Sequence, residues 1–592
     1  MLTLYDHAAV ALYFAFMVLI GFGFRSFVKS VSDYFRGGGR MFWWMTGSSA
    51  FMTTFSAWTF TGAASSAYEN GPLVLVIFLG NVLGYLANYW WFAARFRQLR
   101  IITPIEAMRD RFGPVSEQFF TWAYVPTNVM QGGIWLAGLS IFCSAVFGIS
   151  LELTILFTGG VVLLISLLGG TWAVVASDFM QVLVLLPISI VLAAFALVEI
   201  GGPSALMAQF PADSLLGNDI HYSTIVAFWI CAVLVQKLLT TNNLIDSYRY
   251  LTARDTANAR KGALLAAMLF LVGPIIWFIP PMVAAVRHPD LAAEFPQLGN
   301  RTSEAAYVVM GMDLLPVGMV GVLVAAIFAA TMSSMDSGLN RNAGILIRNF
   351  YQPLIRKNAG DTELLIAGKI VTVFLGVFIM LAALWQVKFK TMGLFDVLLQ
   401  FVALIGIPLN VPMFWGAVVK RTPDWSGWST VVVGFCLSLL IKLRFDADWL
   451  NVVLDLDPPL SVRESNDYLF IVAVFINTLI PSLWFLGTRF FYREPPAERR
   501  AAVERMFRNM RTPVVADEAE VRETDVNQSR LLGKFSLAYG LFLSAFALIP
   551  NNVAGRLAFL FCGGVLVVIG VALRMAARRT LRRQRQASPP EA

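Results

Sequence analysis

Apolar runs of about twenty residues, divided by charged or Gly/Pro breaks, fill most of the chain. A run of that length matches an α-helix spanning the roughly 30 Å hydrocarbon core of a bilayer. The pattern predicts fifteen such spans, at 8–28, 43–69, 71–94, 118–148, 152–170, 173–199, 224–246, 262–286, 316–340, 363–386, 393–419, 427–445, 467–488, 535–550 and 554–577. The first lacks a basic leading region and a small-residue cleavage site, so it is read as a retained helix rather than a signal peptide. The expected fold class is an all-α polytopic membrane protein.

Composition agrees. Of 592 residues, 57% are hydrophobic and only 14% charged, against about 25% charged in a soluble domain that must coat a watery surface. No soluble catalytic or kinase domain fits anywhere. The four cysteines, Cys143, Cys231, Cys436 and Cys562, lie in apolar stretches without CxxC spacing, so neither a disulfide framework nor a zinc site is expected. Three histidines further weaken a metal-enzyme reading.

The net charge of +8 raises nucleic acid as a partner, but its distribution rejects that reading. With the N-terminus outside and fifteen alternating spans, 36 of the 45 basic residues fall on the cytoplasmic side, eight fall outside, and Lys237 sits mid-membrane. That is the positive-inside pattern. The expected location is the cell inner (plasma) membrane, multi-pass, with a cytoplasmic C-terminus and the lipid bilayer as solvent. Two loops are long. The outer stretch 287–315 predicts a short helix from Ser303 to Met312. The inner stretch 489–534 carries both charge signs and a helix-spaced run, Ala497–Arg511, read as a solvated surface helix; it is also the place where a regulatory partner would bind.

Two spans carry unusual polarity. The second has five hydroxyls in eleven residues, from Met52 to Gly62. The seventh has Gln236-Lys237-Leu238-Leu239-Thr240-Thr241-Asn242-Asn243 and then Asp246. Broken helices survive in hydrocarbon only around a cavity or ligand. Five spans separate the two, so they open two five-helix halves, 43–199 and 224–419, of opposite topology. Paired interrupted helices in inverted repeats are an architecture of secondary transporters. The remaining segments are 1–42 (leading helix and first inner loop), 427–488 (accessory helices), 489–534 (charged cytoplasmic loop) and 535–592 (C-terminal helix pair with a basic tail).

Six stretches carry a resemblance: "YFRGGGRMFWWMTGSSAFMTTFSAWTFTG" (34–62), "TPIEAMRDRFG" (103–113), "LGGTWAVVASDFMQVLVLL" (168–186), "DSYRYLTARDTANARKGALL" (246–265), "GMVGVLVAAIFAATMSSMDSGLN" (318–340) and "IGIPLNVPMFWGAVVKR" (405–421). In this order they resemble the sodium/solute symporter family of sodium-coupled sugar, proline, pantothenate and iodide carriers. The resemblance implies a leucine-transporter-type fold with a five-plus-five inverted repeat. It also implies Na+ as coupling ion, held by the backbone carbonyls of Met52, Phe55 and Ala330 and the hydroxyls of Ser333 and Ser334. Sodium is a hard cation, and carbonyls freed by an unwound helix supply its oxygens without burying a full charge.

The chain departs from the sugar carriers. Thr54 and Thr59 stand where those have Asn and His or Gln, and Glu69, nearest to their sugar-binding glutamate, reads as interfacial. Gln236 occupies a position used for substrate. Charged residues inside a membrane usually line cavities or pair with acids; Lys237 is read either as a buried pair or a lysine neutralised by desolvation, or, with Gln236 and Thr240 nearby, as facing the solute and favouring a carboxylate or other anion. A second cation site is expected at Asp178, Ser333, Asp336 and Ser337. Ser333, Asp336 and Ser337 share a helix face at i, i+3 and i+4, and Asp178 lies at the same depth. The family has an aspartate at Asp178, whereas a hydroxyl is common at the position of Asp336. The function expected is a sodium-coupled symporter importing a small polar organic solute, not an enzyme. The rival is a membrane sensor on a transporter scaffold that signals through 489–534.

Overall fold

The computed structural model describes residues 2–24, 27, 30–211, 222–388, 393–445, 447–515 and 518–587. Residues 25, 26 and 28 of the expected span 8–28 lie outside that set. The principal helices are α1 (Leu4–Phe24), α2 (Trp43–Thr53), α3 (Gly62–Asn70), α4 (Leu75–Ala87), α5 (Pro104–Phe147), α6 (Leu151–Ile200), α7 (Tyr222–Thr241), α8 (Thr256–Trp277), α9 (Met319–Ile345), α10 (Asp361–Val387), α11 (Leu394–Phe401), α12 (Ile407–Val418), α13 (Ser426–Arg444), α14 (Val462–Gly487), α15 (Ala497–Asn509), α16 (Glu518–Ala545) and α17 (Val553–Ala587). Among the described residues there is no strand.

Among the described residues, thirteen helical stretches are long and apolar enough to cross a membrane. Three of the fifteen expected runs take another form. Run 43–69 is two short helices, α2 and α3, with unwound chain between them. Runs 152–170 and 173–199 are joined as α6, bent at Gly170 (φ 57°, ψ −172°); a Cβ there would sit 2.8 Å from the Tyr34 ring. A glycine hinge, not a loop, separates them.

Peripheral and central helices differ as bilayer packing requires. Helix α10 exposes Ile366, Ile370, Phe374, Phe378, Leu381 and Trp385 along one stripe while Gly368, Thr372, Leu375, Ile379 and Ala383 are buried. Helix α9 is buried on every side from Met319 to Asn340, so it is the axis of the bundle.

The hydroxyl-rich segment breaks as expected. Helix α2 ends at Thr53, and Ser56 is fully extended (φ −150°, ψ 177°). Local hydroxyls satisfy the freed backbone: Thr54 donates to the Phe51 carbonyl (3.0 Å), Thr61 to that of Ala57 (3.1 Å), and the Ala57 N–H donates to Thr331 Oγ1 on α9 (2.8 Å). The second break falls at Asn242-Asn243, after a regular helix through Gln236–Thr241. Asn242 Nδ2 donates to the Leu238 carbonyl (2.9 Å), and Asn243 Nδ2 to that of Thr240 (3.0 Å). Asn243 Oδ1 accepts from the N–H groups of Ile245 and Asp246. The asparagine pair replaces the helical partners on both sides of the gap.

Three loop expectations change. The outer short helix is Ala306–Leu314, later than the expected Ser303–Met312. The stretch 489–534 does not end where α16 begins, because α16 starts at Glu518 and continues unbroken through the apolar run. Helix α15 is not wholly solvated: Met506 and Phe507 are buried. Its Arg499 makes a two-point ion pair with Asp424 (3.0 and 3.1 Å). Further along, Thr256 and Val514 exchange hydrogen bonds (3.0 and 3.3 Å).

Helices α16 and α17 lie close together through glycines. A Cβ on Gly540 would be 2.8 Å from the Gly563 carbonyl, and one on Gly570 2.7 Å from the Leu537 nitrogen. Small residues permit such backbone approach in membranes. The pair packs on α1, where Phe16 stacks on Tyr539 with centroids 4.5 Å apart. Helix α1 is in turn keyed to α9, because Asp6 Oδ1 accepts from the Gly321 N–H (2.9 Å).

Candidate functional site

The break after α2 leaves backbone carbonyls pointing at α9. Ser334 Oγ lies 2.6 Å from the Phe55 oxygen, 3.2 Å from that of Met52 and 3.4 Å from that of Ala330. Four of the five residues expected around sodium thus converge in one buried nest of oxygens. Neutral oxygens are the donor set a hard monovalent cation needs. The fifth, Ser333, turns aside and donates to Asp178 Oδ1 (2.5 Å).

Asp178, on α6, also accepts from Ser49 Oγ of α2 (2.5 Å). Asp336 accepts instead from Ser166, a residue of α6 that the sequence reading did not select. The Thr53 hydroxyl lies 3.3 Å from Ser337 Oγ. Asp178, Ser333, Asp336 and Ser337 are all buried. Each carboxylate has its own hydroxyl partner, and the cluster joins α2, α6 and α9 beside the carbonyl nest. Carboxylates withdrawn from water must be paired, coordinate a cation or take a proton.

A cavity of about 180 Å³ lies between the two breaks. All five residues expected to meet the solute, Thr54, Thr59, Gln236, Lys237 and Thr240, line it. Thr240 donates back to the Gln236 carbonyl (2.9 Å), and the buried Gln236 Nε2 has no hydrogen-bond partner. Glu69 is not among the lining residues; it is exposed.

The sequence reading missed the cavity's other charges. Asp246, Arg249 and Arg341 also line it, so with Lys237 the wall carries a net two positive charges. Arg249 pairs with Asp246 (3.1 Å) and donates to the Ala50 carbonyl (3.0 Å) and the Tyr85 hydroxyl. Arg341 donates to Asn128 Oδ1 (2.6 Å), and its guanidinium faces the Tyr248 ring at 4.6 Å. Among the described residues the Lys237 amine has neither a hydrogen-bond partner nor an ion-pair partner. One signal for Arg341 was available: it follows Ser333 and Ser337 by eight and four residues, on the same stripe of α9.

Interrupted helices, an oxygen nest and a polar cavity beside it define an ion-coupled membrane carrier. The sodium:solute symporter family profile matches residues 34–427, and the chain belongs to that family. It is 25% identical over 529 residues to the sodium/myo-inositol cotransporter 2 of Mus musculus, covering 82% of this chain and 77% of the relative. It is 25% identical over 466 residues to the sodium/sialic acid symporter SiaT of Proteus mirabilis (strain HI4320), covering 75% and 90%. Among solved structures, a substrate-bound, outward-open Na+-coupled sialic acid symporter shares the fold, with a TM-score of 0.67 at 21% identity over 83% of this chain and 98% of that one. The protein is therefore a sodium-coupled symporter of a small organic solute, a multi-pass plasma-membrane protein and not an enzyme.

Proposed function

We propose that this symporter imports a small polar solute carrying a carboxylate or comparable anionic group. The observation that carries the reading is Lys237, whose amine has no ion-pair partner among the described residues, in a cavity whose wall, Lys237 included, carries a net two positive charges. A lone cation inside a membrane protein is costly and is usually functional. An arriving anion would supply the missing partner, with Gln236, Thr54, Thr59 and Thr240 as polar neighbours. One relative is named for sialic acid and another for myo-inositol, so the family accommodates an acid and a neutral polyol, and Lys237 favours the acid here.

The primary sodium would bind at Met52, Phe55, Ala330, Ser333 and Ser334. For that, Ser333 exchanges Asp178 for the ion. A second cation, or a proton, would occupy Asp178, Ser333, Asp336 and Ser337. The halves 43–199 and 224–419 form the inverted repeat, and the basic face is cytoplasmic, with the N-terminus outside. Sodium from outside completes the solute site, both ligands favour rocking of the broken helices, and low internal sodium releases them. Linkage requires each ligand to raise the affinity of the other by one common factor.

The test is sodium-driven uptake into proteoliposomes, screened with paired organic acids and their amides. Acids are expected to compete and neutral sugars to fail, with Lys237→Met abolishing the preference. Full uptake and unaltered selectivity in Lys237→Met would overturn the proposal.

A further inference from the structure

Toward the basic face lies a smaller cavity, lined by Ser49, Thr252, Ser337 and Asn340 among others. It shares two residues with the central cavity, Arg249 and Arg341. These two guanidinium groups are the wall between the compartments, and their states differ. Arg249 is engaged from several directions by Asp246, the Ala50 carbonyl and the Tyr85 hydroxyl. It holds α2, α4 and the chain after the second break together.

Arg341 is far less engaged. Its hydrogen bond to Asn128 uses Nη2, while its buried Nε has no partner. Two aromatic rings, Tyr248 at 4.6 Å and Tyr124 at 5.5 Å, support the guanidinium. Such support fixes the orientation of the planar fork without neutralising it, and that fork matches a carboxylate through two parallel hydrogen bonds. No carboxylate lies within ion-pair distance of Arg341 among the described residues. The adjacent Asn340 is buried with both amide atoms unpartnered, and it opens onto the smaller cavity. Donors without acceptors therefore continue past the central cavity, on the helix that also carries Ser333 and Ser334.

We propose that Arg341 is a second anion station on the solute's route, accepting the anionic group from Lys237 and passing it into the smaller cavity lined by Asn340, Ser337 and Thr252. The inference rests on the anionic-solute reading. It adds a residue that acts on passage rather than on initial binding. Lys237 sets affinity from the central cavity. Arg341 sets the rate at which the anion leaves that cavity, because without it the wall offers only Arg249, whose charge is committed to Asp246.

The experiment uses the full chain in proteoliposomes and in detergent. N-acetylneuraminate, lactate, pyruvate and benzoate are screened by sodium-dependent quenching of tryptophan fluorescence, since Trp58 and Trp135 line the central cavity. With the acid so identified, Arg341→Gln is expected to keep binding affinity within about threefold of wild type while turnover falls at least about tenfold. Arg341→Lys, which keeps the charge but loses the fork, is expected to recover part of that loss. Lys237→Met is expected to show the opposite split, with weak binding. Wild-type turnover in Arg341→Gln overturns the station while leaving the Lys237 reading intact, as does an equal loss in Arg341→Lys and Arg341→Gln. If no acid quenches the wild-type protein, the anionic reading falls and the station with it. Thermal stability of both Arg341 variants is measured alongside; a turnover loss that tracks lost stability counts against the station.

Discussion

Replacing Ser334 by alanine removes the hydroxyl at the centre of the carbonyl nest, and the geometry sets the size of the effect. A ligand oxygen on a cation is comparable to a hydrogen bond to a charged group, about 1.5–3 kcal/mol. Without sodium, that hydroxyl donates to the Phe55 carbonyl at 2.6 Å, a neutral bond of about 0.5–1.5 kcal/mol that sodium must displace. Alanine abolishes both terms, so the net loss in sodium affinity is about 1–2 kcal/mol. At about 1.4 kcal/mol per decade, that is roughly five- to thirtyfold. The assay is uptake into proteoliposomes titrated with external sodium, with thermal stability in sodium-free buffer as the folding control. Ser334→Ala should raise the half-activating sodium concentration by that factor, and Ser334→Thr should restore most of it. Ser333→Ala should have a smaller effect on half-activation, because its hydroxyl gives up a charge-assisted hydrogen bond to Asp178 when it turns to the ion. A half-activating concentration within twofold of wild type in Ser334→Ala would refute the site.

Three further outcomes are expected. Asp178→Asn or Asp336→Asn should alter sodium cooperativity or the pH profile of uptake while leaving the primary site occupied; unchanged Hill slopes and pH profiles in both variants would remove the second cation site. In the outer loop, burial pushes the Glu304 carboxyl from 4.5 up to about 7, while its Oε1 accepts from the Leu394 N–H (2.8 Å). The folded protein then binds more protons than the unfolded chain between those values, so this contribution is full below about pH 4.5 and lost as pH rises through 7. Glu304→Gln should flatten the pH dependence of the melting temperature over that window. A Cβ on Gly321 would sit 2.2 Å from the Asp6 backbone oxygen, so Gly321→Ala should cost about 1–3 kcal/mol of stability, read as a lowered melting temperature. Gly160→Ala, in open space, should show no such loss.

The sequence reading located both helix breaks because each is a cluster of self-satisfying side chains inside an otherwise apolar run. Hydroxyls bond back to carbonyls around Thr54, and amides bridge the gap at Asn242 and Asn243. The direction of Ser333 was not legible. Adjacent residues on a helix point about 100° apart, and only the bundle decides which serine faces the carbonyls and which faces Asp178. Arg249 and Arg341 were hidden by a correct principle applied too broadly, since counting cations for topology treats each as a loop charge. Here two of them turn back into the cavity. The early start of α16 was invisible for a related reason. Residues 518–534 are polar, and a search for apolar runs finds only the part of a helix that meets lipid.

The contact between α1 and the pair α16–α17 moves the edge of the protein outward. The family profile ends at residue 427, whereas the aromatic face of α1 at Tyr13 and Phe16 is covered by Tyr539 of the added pair. The annular lipid beside the central bundle is displaced there by about one helix diameter, roughly 10 Å. A chain truncated before α16 would bare those rings, and would also take Asp525 from Arg254 (2.5 Å) and Gln528 from the Arg40 carbonyl (3.0 Å). In a bilayer those rings would meet acyl chains as apolar as the helices they lost, with no hydrophobic driving force to hold the pair in place. What the pair adds is therefore close steric fit along its glycines and two polar ties from α16, and its removal would be felt in packing and in the shape of the lipid-facing perimeter more than in the burial of greasy surface.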